Sequence, residues 1–261
     1  MASNYATSVT WDGHELHSLF VVEAIERQVM GGASPVTQTV GMSDGVALVG
    51  MRYDAPKITL TLACIADTAQ QIREAWAMLA SWLHVDGPRR LEFSDDGGWY
   101  YDAIPQGGAE TALLGLNAER ATITFLVPDA KAWAIRSKTA SFSTMSVADI
   151  RVSGTAPAYP VITSSSAIGE IVIYYDNQPC LTVDVGGVAK SLVIDCASRT
   201  VTIGGNPALL SLDQDFLAMD PGVHTMDAVQ LNSADPGTDE PSGTGPQTIS
   251  FEVEWRDSRW C

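Results

Sequence analysis

Few residues in this chain are spaced for chemistry, and each group has a plainer reading beside it. In LVIDCASRTVTIGG (192–205), Asp195 directly precedes Cys196, where an acid could orient a nucleophile. A nucleophilic thiol needs a base, usually histidine, next to it in space. The four histidines are His14, His17, His84 and His224, and none lies in a nucleophile motif. Leu192 and Ile194 alternate with Val193 and Asp195, Ala197 and Ser198 are small turn residues, and Val201 and Ile203 resume the alternation. This pattern predicts a β-hairpin, with Asp195 serving the turn or pairing across it with Arg199.

The other candidates are weaker. His14 and His17 form HxxH, but Trp11–Asp12–Gly13 signals a turn and no third metal ligand is evident. Asp213 and Asp215 form a DxD that could serve a glycosidase or a divalent cation. In so acidic a chain DxD is a weak signal, and a solvated loop is the favoured reading. Asp95 and Asp96 precede Gly97, as in a tight turn. Trp99, Tyr100 and Tyr101 could make a sugar platform, yet alternation sends Tyr100 to the opposite face, which favours core filling. No phosphate loop, dinucleotide fingerprint or basic-aromatic nucleic-acid patch appears. The expectation is a non-enzyme with no cofactor and no metal.

Composition narrows the classes further. The chain has 261 residues, 46% hydrophobic and 18% charged, enough for a sizeable core in two medium domains or one large β domain. Thirty-one acids against 15 bases give a net charge of −16, which disfavours binding to phosphates. The same charge suits a path that DNA traverses without sticking. No run of 18 apolar residues exists, so no membrane insertion by a helix is expected. The N-terminal stretch does not read as a secretory signal. Cys64, Cys180, Cys196 and Cys261 contain no CxxC pair; reduced thiols are the default, with a Cys180–Cys196 bridge conceivable between neighbouring strands.

The elements that would position these residues are mostly strands. Residues 18–26 read as a strand, and about 27–56 as an extended hairpin arm with its tip near Ser43–Asp44–Gly45. Short apolar pieces on the arm (Val36, Val40, Met42, Val46, Leu48 and Val49) bury little by themselves and are candidates for contact with another subunit. KITLTLACI (57–65) alternates, with Ile58, Leu60, Leu62 and Cys64 facing one way. The period then changes. Ile72, Trp76, Leu79 and Leu83 lie on one face of a helix spanning about 68–85, opened by a Thr68–Gln71 capping box and stopped by Gly87 and Pro88. Strands at 91–93 and 99–104 and the alternating 119–128 complete a first domain, 1–136.

Residues 137–156 carry few large apolar side chains, and the domain junction is placed there. The remainder of the second domain, 137–261, reads as short strands and turns, the spacing of a β-sandwich. NSADPGTDEPSGTGPQ (232–247) reads as an acidic loop before the last strand.

The order of these pieces is similar to a known family. A β-rich first half holds an arm and one helix, then RRLEFSDDGGWYYDAIPQG, then ATITFLVPDAKAW. The second half holds SLVIDCASRTVTIGG and then LDQDFLAMDPGVHTM, with its Pro221–Gly222 segment. This resembles the distal tail (Dit) proteins of siphophages, across nearly the whole chain but through loose motifs; the 232–247 insertion departs from the pattern. The resemblance implies an α+β ring-forming first domain followed by a galectin-like β-sandwich. It implies a hexameric ring in the virion, at the tail tip, assembled in the host cytoplasm. Its partners would be the tail-tube protein, the tape-measure protein and a tail-associated or fibre protein, with DNA passing through without specific binding. The second reading is a carbohydrate-binding β-sandwich protein or phage adhesin module, resting on the second half and on Trp99 and Tyr175. A glycosidase using Asp213 and Asp215 is the third.

Overall fold

The computed structural model describes residues 7–41, 44–208, 215–231 and 248–261. Met42, Asp213 and the acidic stretch 232–247 lie outside the described residues. The chain forms two compact units, Met1–Ile135 with Trp260–Cys261, and Arg136–Arg259. The sequence assigns everything after 136 to the second domain, but the last two residues return to the first unit. There the Cys261 N–H donates to the Ala130 carbonyl at 3.1 Å.

The first unit opens with β1 (Val9–Trp11) and β2 (His14–Glu15). Asp12 and Gly13 between them both have positive φ, 47° and 81°, the left-handed pair that a two-residue hairpin needs. One 3₁₀ turn, Leu16–Ser18, buries Leu16 and delays the next strand, β3, to Val21–Arg27 rather than 18–26. Then follow β4 (Ala33–Thr39), β5 (Val46–Tyr53) and β6 (Lys57–Ile65). After α1 (Ala69–Leu83) come β7 (Arg89–Phe93), β8 (Trp99–Gln106), β9 (Thr111–Gly115), β10 (Ala118–Leu126) and β11 (Lys131–Ala134).

The main sheet runs β2-β1-β7-β8-β10-β6-β3, with β9 beside β10 and β11 beside β8. Ile58, Leu60, Leu62 and Cys64 of β6 and Ala121, Ile123 and Phe125 of β10 are buried, as period-two alternation requires. Helix α1 lays Ile72 and Leu79 into this core, while Trp76 and Leu83 are partly buried against it. Trp76 tilts against Phe20, with ring centres 4.7 Å apart. The capping box forms: the Gln71 N–H donates to Thr68 Oγ1 at 3.3 Å, and the Thr68 N–H donates to Gln71 Oε1 at 3.1 Å. These bonds satisfy two donors that a helix start leaves orphaned. The helix is shorter than 68–85 because Thr68 is its cap and His84 already leaves helical geometry.

The second unit contains β12 (Lys138–Ser143), β13 (Ala148–Val152), β14 (Val161–Ala167), β15 (Glu170–Tyr175) and β16 (Gln178–Asp184). It continues through β17 (Lys190–Asp195), β18 (Thr200–Ile203), β19 (Asn206–Ala208), β20 (Gly222–Leu231) and β21 (Ser250–Trp255). One sheet has the order β12-β21-β14-β17-β18-β19 and the other β13-β20-β15-β16. Phe142, Ile162, Ile194 and Val253 from the first share one buried core with Ile150, Ile171, Leu181 and Met226 from the second. Two sheets around one core make a β-sandwich. A final strand, β22 (Ser258–Trp260), pairs with β11.

The stretch 137–156 is therefore not a junction segment. It holds β12 and β13, and its large apolar residues on those strands, Phe142, Ile150 and Val152, are 3% exposed or less, while Met145 and Val147 between the strands are exposed. A strand with one buried face needs only alternate apolar positions, so low apolar content misled the assignment.

Candidate assembly surface

The arm is built from β4 and β5, which pair antiparallel from Ala33–Tyr53 to Thr39–Val46 and, among the described residues, with no other strand. Gly45, with φ at 92°, opens the return strand. Every side chain of both strands is exposed; only Gly50 is partly covered. Strand side chains alternate between faces, so neither face of this ribbon is covered. Val36, Val40, Val46, Leu48 and Val49 are 48–63% exposed, and Met42 falls outside the described residues. An isolated two-stranded ribbon is marginal in water, and contiguous exposed apolar side chains mark an interaction surface. Between Gln28 and Met51 the only charged residue is Asp44, in a chain of net charge −16. The ribbon is a strip along which another acidic chain can approach while meeting little of its own sign of charge.

Among the described residues, none of the candidate chemical groups assembles into a reactive site. Asp195 stands opposite Thr200 at the end of the β17–β18 hairpin, not opposite Arg199. Its Oδ1 accepts from the Ala197 N–H at 2.9 Å and the Ser198 N–H at 3.0 Å. Arg199 takes the left-handed backbone of the turn, φ 56°. Partial burial pushes the Asp195 carboxyl up, but the hydrogen bonds from Ser198 and Ala197 outweigh it and hold the group below its ordinary value. Cys196 is 1% exposed, and burial pushes its thiol up to about 12. A thiol so disfavoured as thiolate is a poor nucleophile. Cys180 is likewise raised to about 12 by burial, and both cysteines are free thiols.

His14 stacks on Trp82, with ring centres 4.4 Å apart, while His17 lies 3.3 Å from Glu15. Among the described residues no cluster of His, Cys, Asp or Glu could hold a metal ion. Asp95 and Asp96 sit in a 3₁₀ turn between β7 and β8. Asp95 pairs with Arg27 at 2.7 Å, and Asp96 accepts from the Tyr101 hydroxyl at 2.8 Å. Tyr101 is buried, Trp99 and Tyr100 are half-buried, and Arg90 lies over the Tyr100 ring.

One acid–base pair is invisible in the sequence. His224 Nδ1 lies 2.7 Å from Asp176 Oδ2, and its Nε2 lies 2.8 Å from the Asp220 carbonyl. The Thr225 N–H donates to Asp176 Oδ1 at 2.9 Å. The hydrogen bond with His224, with help from Thr225, holds the Asp176 carboxyl below its ordinary value. Both ring nitrogens are engaged, so neither is open to take a substrate proton. The pair clasps the β15–β16 turn to the start of β20.

Comparison with known proteins follows the two units. A family model for the phage tail protein RIFT-related domain matches residues 14–127. A second, for the C-terminal domain of the siphovirus-type tail component, matches residues 153–238. The fold is similar to the crystal structure of the Dit protein (gp 19.1) of phage SPP1, with a TM-score of 0.75 and 16% identity over 97% of this chain and 98% of that one. The chain belongs to the siphophage distal tail protein family. It is thus a structural component of the phage tail, and so of the virion. The SPP1 protein is described as a paradigm of hub adsorption apparatus in phages that infect Gram-positive hosts. A chain of the phage P2 baseplate in its activated conformation is a fainter likeness, with a TM-score of 0.46 and 7% identity over 96% of this chain and 97% of that one. No curated protein matches the sequence.

This distal tail protein exposes more apolar surface than its sequence singles out. Met51 and Tyr53 extend the arm's apolar strip. The β9–β10 hairpin carries Leu113 and Leu116 at 79% and 98% exposure. The signal for that hairpin is TALLGLNA, an apolar run broken by Gly115 and Asn117.

Proposed function

We propose that this distal tail protein assembles into a ring of six copies that joins the tail tube to the adhesion apparatus and leaves a central channel for DNA. The observation that carries this reading is the β4–β5 ribbon, which exposes Val36, Val46, Leu48, Val49, Met51 and Tyr53, carries one charged residue in its strands, Arg52, and pairs with no other strand among the described residues. Such a ribbon gains stability only against a partner surface, either by strand addition or by covering its side chains. Val36, Val40, Met42, Val46, Leu48 and Val49 are the residues assigned to that contact.

In this reading the first unit builds the ring and the second, the β-sandwich, lies outside it and docks receptor-binding parts. The tail-tube, tape-measure and tail-associated or fibre proteins are its neighbours, and assembly takes place in the host cytoplasm. The protein works without turnover or cofactor. Each copy brings 16 net negative charges, so acidic side chains turned toward the channel would repel phosphates and let DNA slide. Electron microscopy of the purified protein tests the ring: the expected image is a closed ring with one subunit number. Single particles with no symmetry, together with no affinity for tail-tube or tape-measure proteins, would contradict it.

A further inference from the structure

The root of the arm is held firmly where its length is not. Arg27, the last residue of β3, donates from Nη2 to Asp95 Oδ1 at 2.7 Å. Its guanidinium carbon lies 4.2 Å from the centre of the Phe93 ring, and Phe93 is buried in the core of the first unit. One residue on, the two legs of the arm are bonded to each other. The Gln28 N–H donates to the Lys57 carbonyl at 3.1 Å, and the Lys57 N–H donates to Gln28 Oε1 at 2.9 Å. Higher up, the Asp54 N–H donates to the Gly32 carbonyl at 2.8 Å. A Cβ on Gly31 would fall 1.6 Å from the Asp54 carbonyl oxygen, so the legs approach too closely there for any side chain. The second leg is tied to the body where the Val127 N–H donates to the Pro56 carbonyl at 3.0 Å.

Most of these contacts join the two legs to one another and one ties the second leg to the end of β10; Arg27 reaches sideways to a different part of the body, the β7–β8 turn. We propose that Arg27 is a positioning residue for assembly: its clamp on Asp95 and Phe93 fixes the direction in which the arm leaves the body, so that the arm meets a second copy of this chain. This rests on the ring reading above.

The geometry gives the clamp leverage out of proportion to its strength. At about 3.3 Å per residue, the seven residues of β4 place its far end roughly 23 Å from its start, so a swing of about 20° moves that end roughly 8 Å. That exceeds the spacing of about 4.8 Å between neighbouring strands, enough to miss a partner edge. The Arg27 and Asp95 side chains are 30% and 40% exposed, so the pair itself adds little to folding. A lost clamp therefore shows in assembly and hardly in melting. A second copy is the occupant because the arm is nearly charge-free in a chain whose copies otherwise repel.

The test is a mutant cycle on the full chain: Arg27→Gln, Asp95→Asn, the double variant, and Arg27→Lys. Self-association is measured by sedimentation and thermal melting is followed in parallel. Each neutral single variant should weaken self-association at least about threefold with little change in melting. The double variant should be no weaker than the weaker single, because both remove one contact. Arg27→Lys should restore most of the association. Additive losses, or unchanged association in both singles, would overturn the proposal. A chain lacking residues 33–53 separates the two layers. If it dissociates while Arg27→Gln assembles normally, the clamp is wrong and the arm reading stands. If it assembles as well as the full chain, both fall.

Discussion

Two hairpins in this molecule carry similar local signals and have opposite fates. The β4–β5 arm and the β17–β18 hairpin are both antiparallel, carry Val and Leu, and are closed by turn residues. In β17–β18, Leu192, Ile194 and Val201 are 3% exposed or less, because β14 flanks β17 and the opposing sheet covers its face. In β4–β5, neither face is covered. The charge pattern separates them. Lys190, Asp195 and Arg199 mark out the outer positions and the turn of the buried hairpin, whereas the arm has only Asp44 between Gln28 and Met51. A hairpin with polar residues on one face is finished within its own chain. One that exposes large apolar side chains on both faces, as Leu48 and Val49 do here, is not.

The contrast can be broken most strongly in the sandwich. Ile194→Ala should cost about 2–5 kcal/mol, because it empties a site with no exposure. A denaturant titration checks it, and a loss below about 1 kcal/mol would mean that this hairpin is as loosely held as the arm. Leu79→Ala on α1 should cost a similar 2–5 kcal/mol, since that side chain fills the core of the first unit.

Asp195→Ala comes next, at about 1 kcal/mol, the usual cost of losing a side-chain acceptor for turn or cap N–H groups. Its melting temperature should fall while the fold persists. Acid should act on the same unit. Asp176 and Asp195 both have depressed folded values, so their contribution is full above the ordinary carboxylate value of about 3.9 and is lost as pH falls through the folded value. Melting followed downward from pH 5 should show a loss that is smaller in Asp176→Asn or Asp195→Asn. An equal loss in the variants would remove these two groups from the account. The smallest effect belongs to the arm: Leu48→Ala should change melting by no more than about 0.5 kcal/mol, because nothing in its own chain covers that side chain.

Much of this architecture is legible in the sequence wherever a period is clean. Ile58 to Cys64 and Ile72 to Leu83 announce a strand and a helix, and the Thr68 capping box marks the helix start. Phe142, Ile150 and Val152 were hidden because three inward residues among small polar neighbours look like linker composition. The arm's existence is also readable, from Gly and Pro signals around apolar pieces. Its mount is not. Arg27 and Asp95 lie 68 residues apart, and Asp176 and His224 lie 48 apart, and only the folded sheets bring each pair together. Asp195–Cys196 is the reverse case, a suggestive adjacency that strand alternation already assigns to a hairpin, and its two side chains serve a turn and a core.

The central claim is that the arm makes the assembly. Native mass spectrometry of the full chain beside a Leu48→Glu, Val49→Glu variant tests it most directly, since two buried carboxylates at a contact are costly while two on an exposed ribbon are not. The account predicts a closed oligomer of single stoichiometry for the unaltered chain and a folded monomer for the variant, which melts as the unaltered chain does once diluted to monomer. An unaltered chain that stays strictly monomeric, or a variant that assembles equally well, would contradict it.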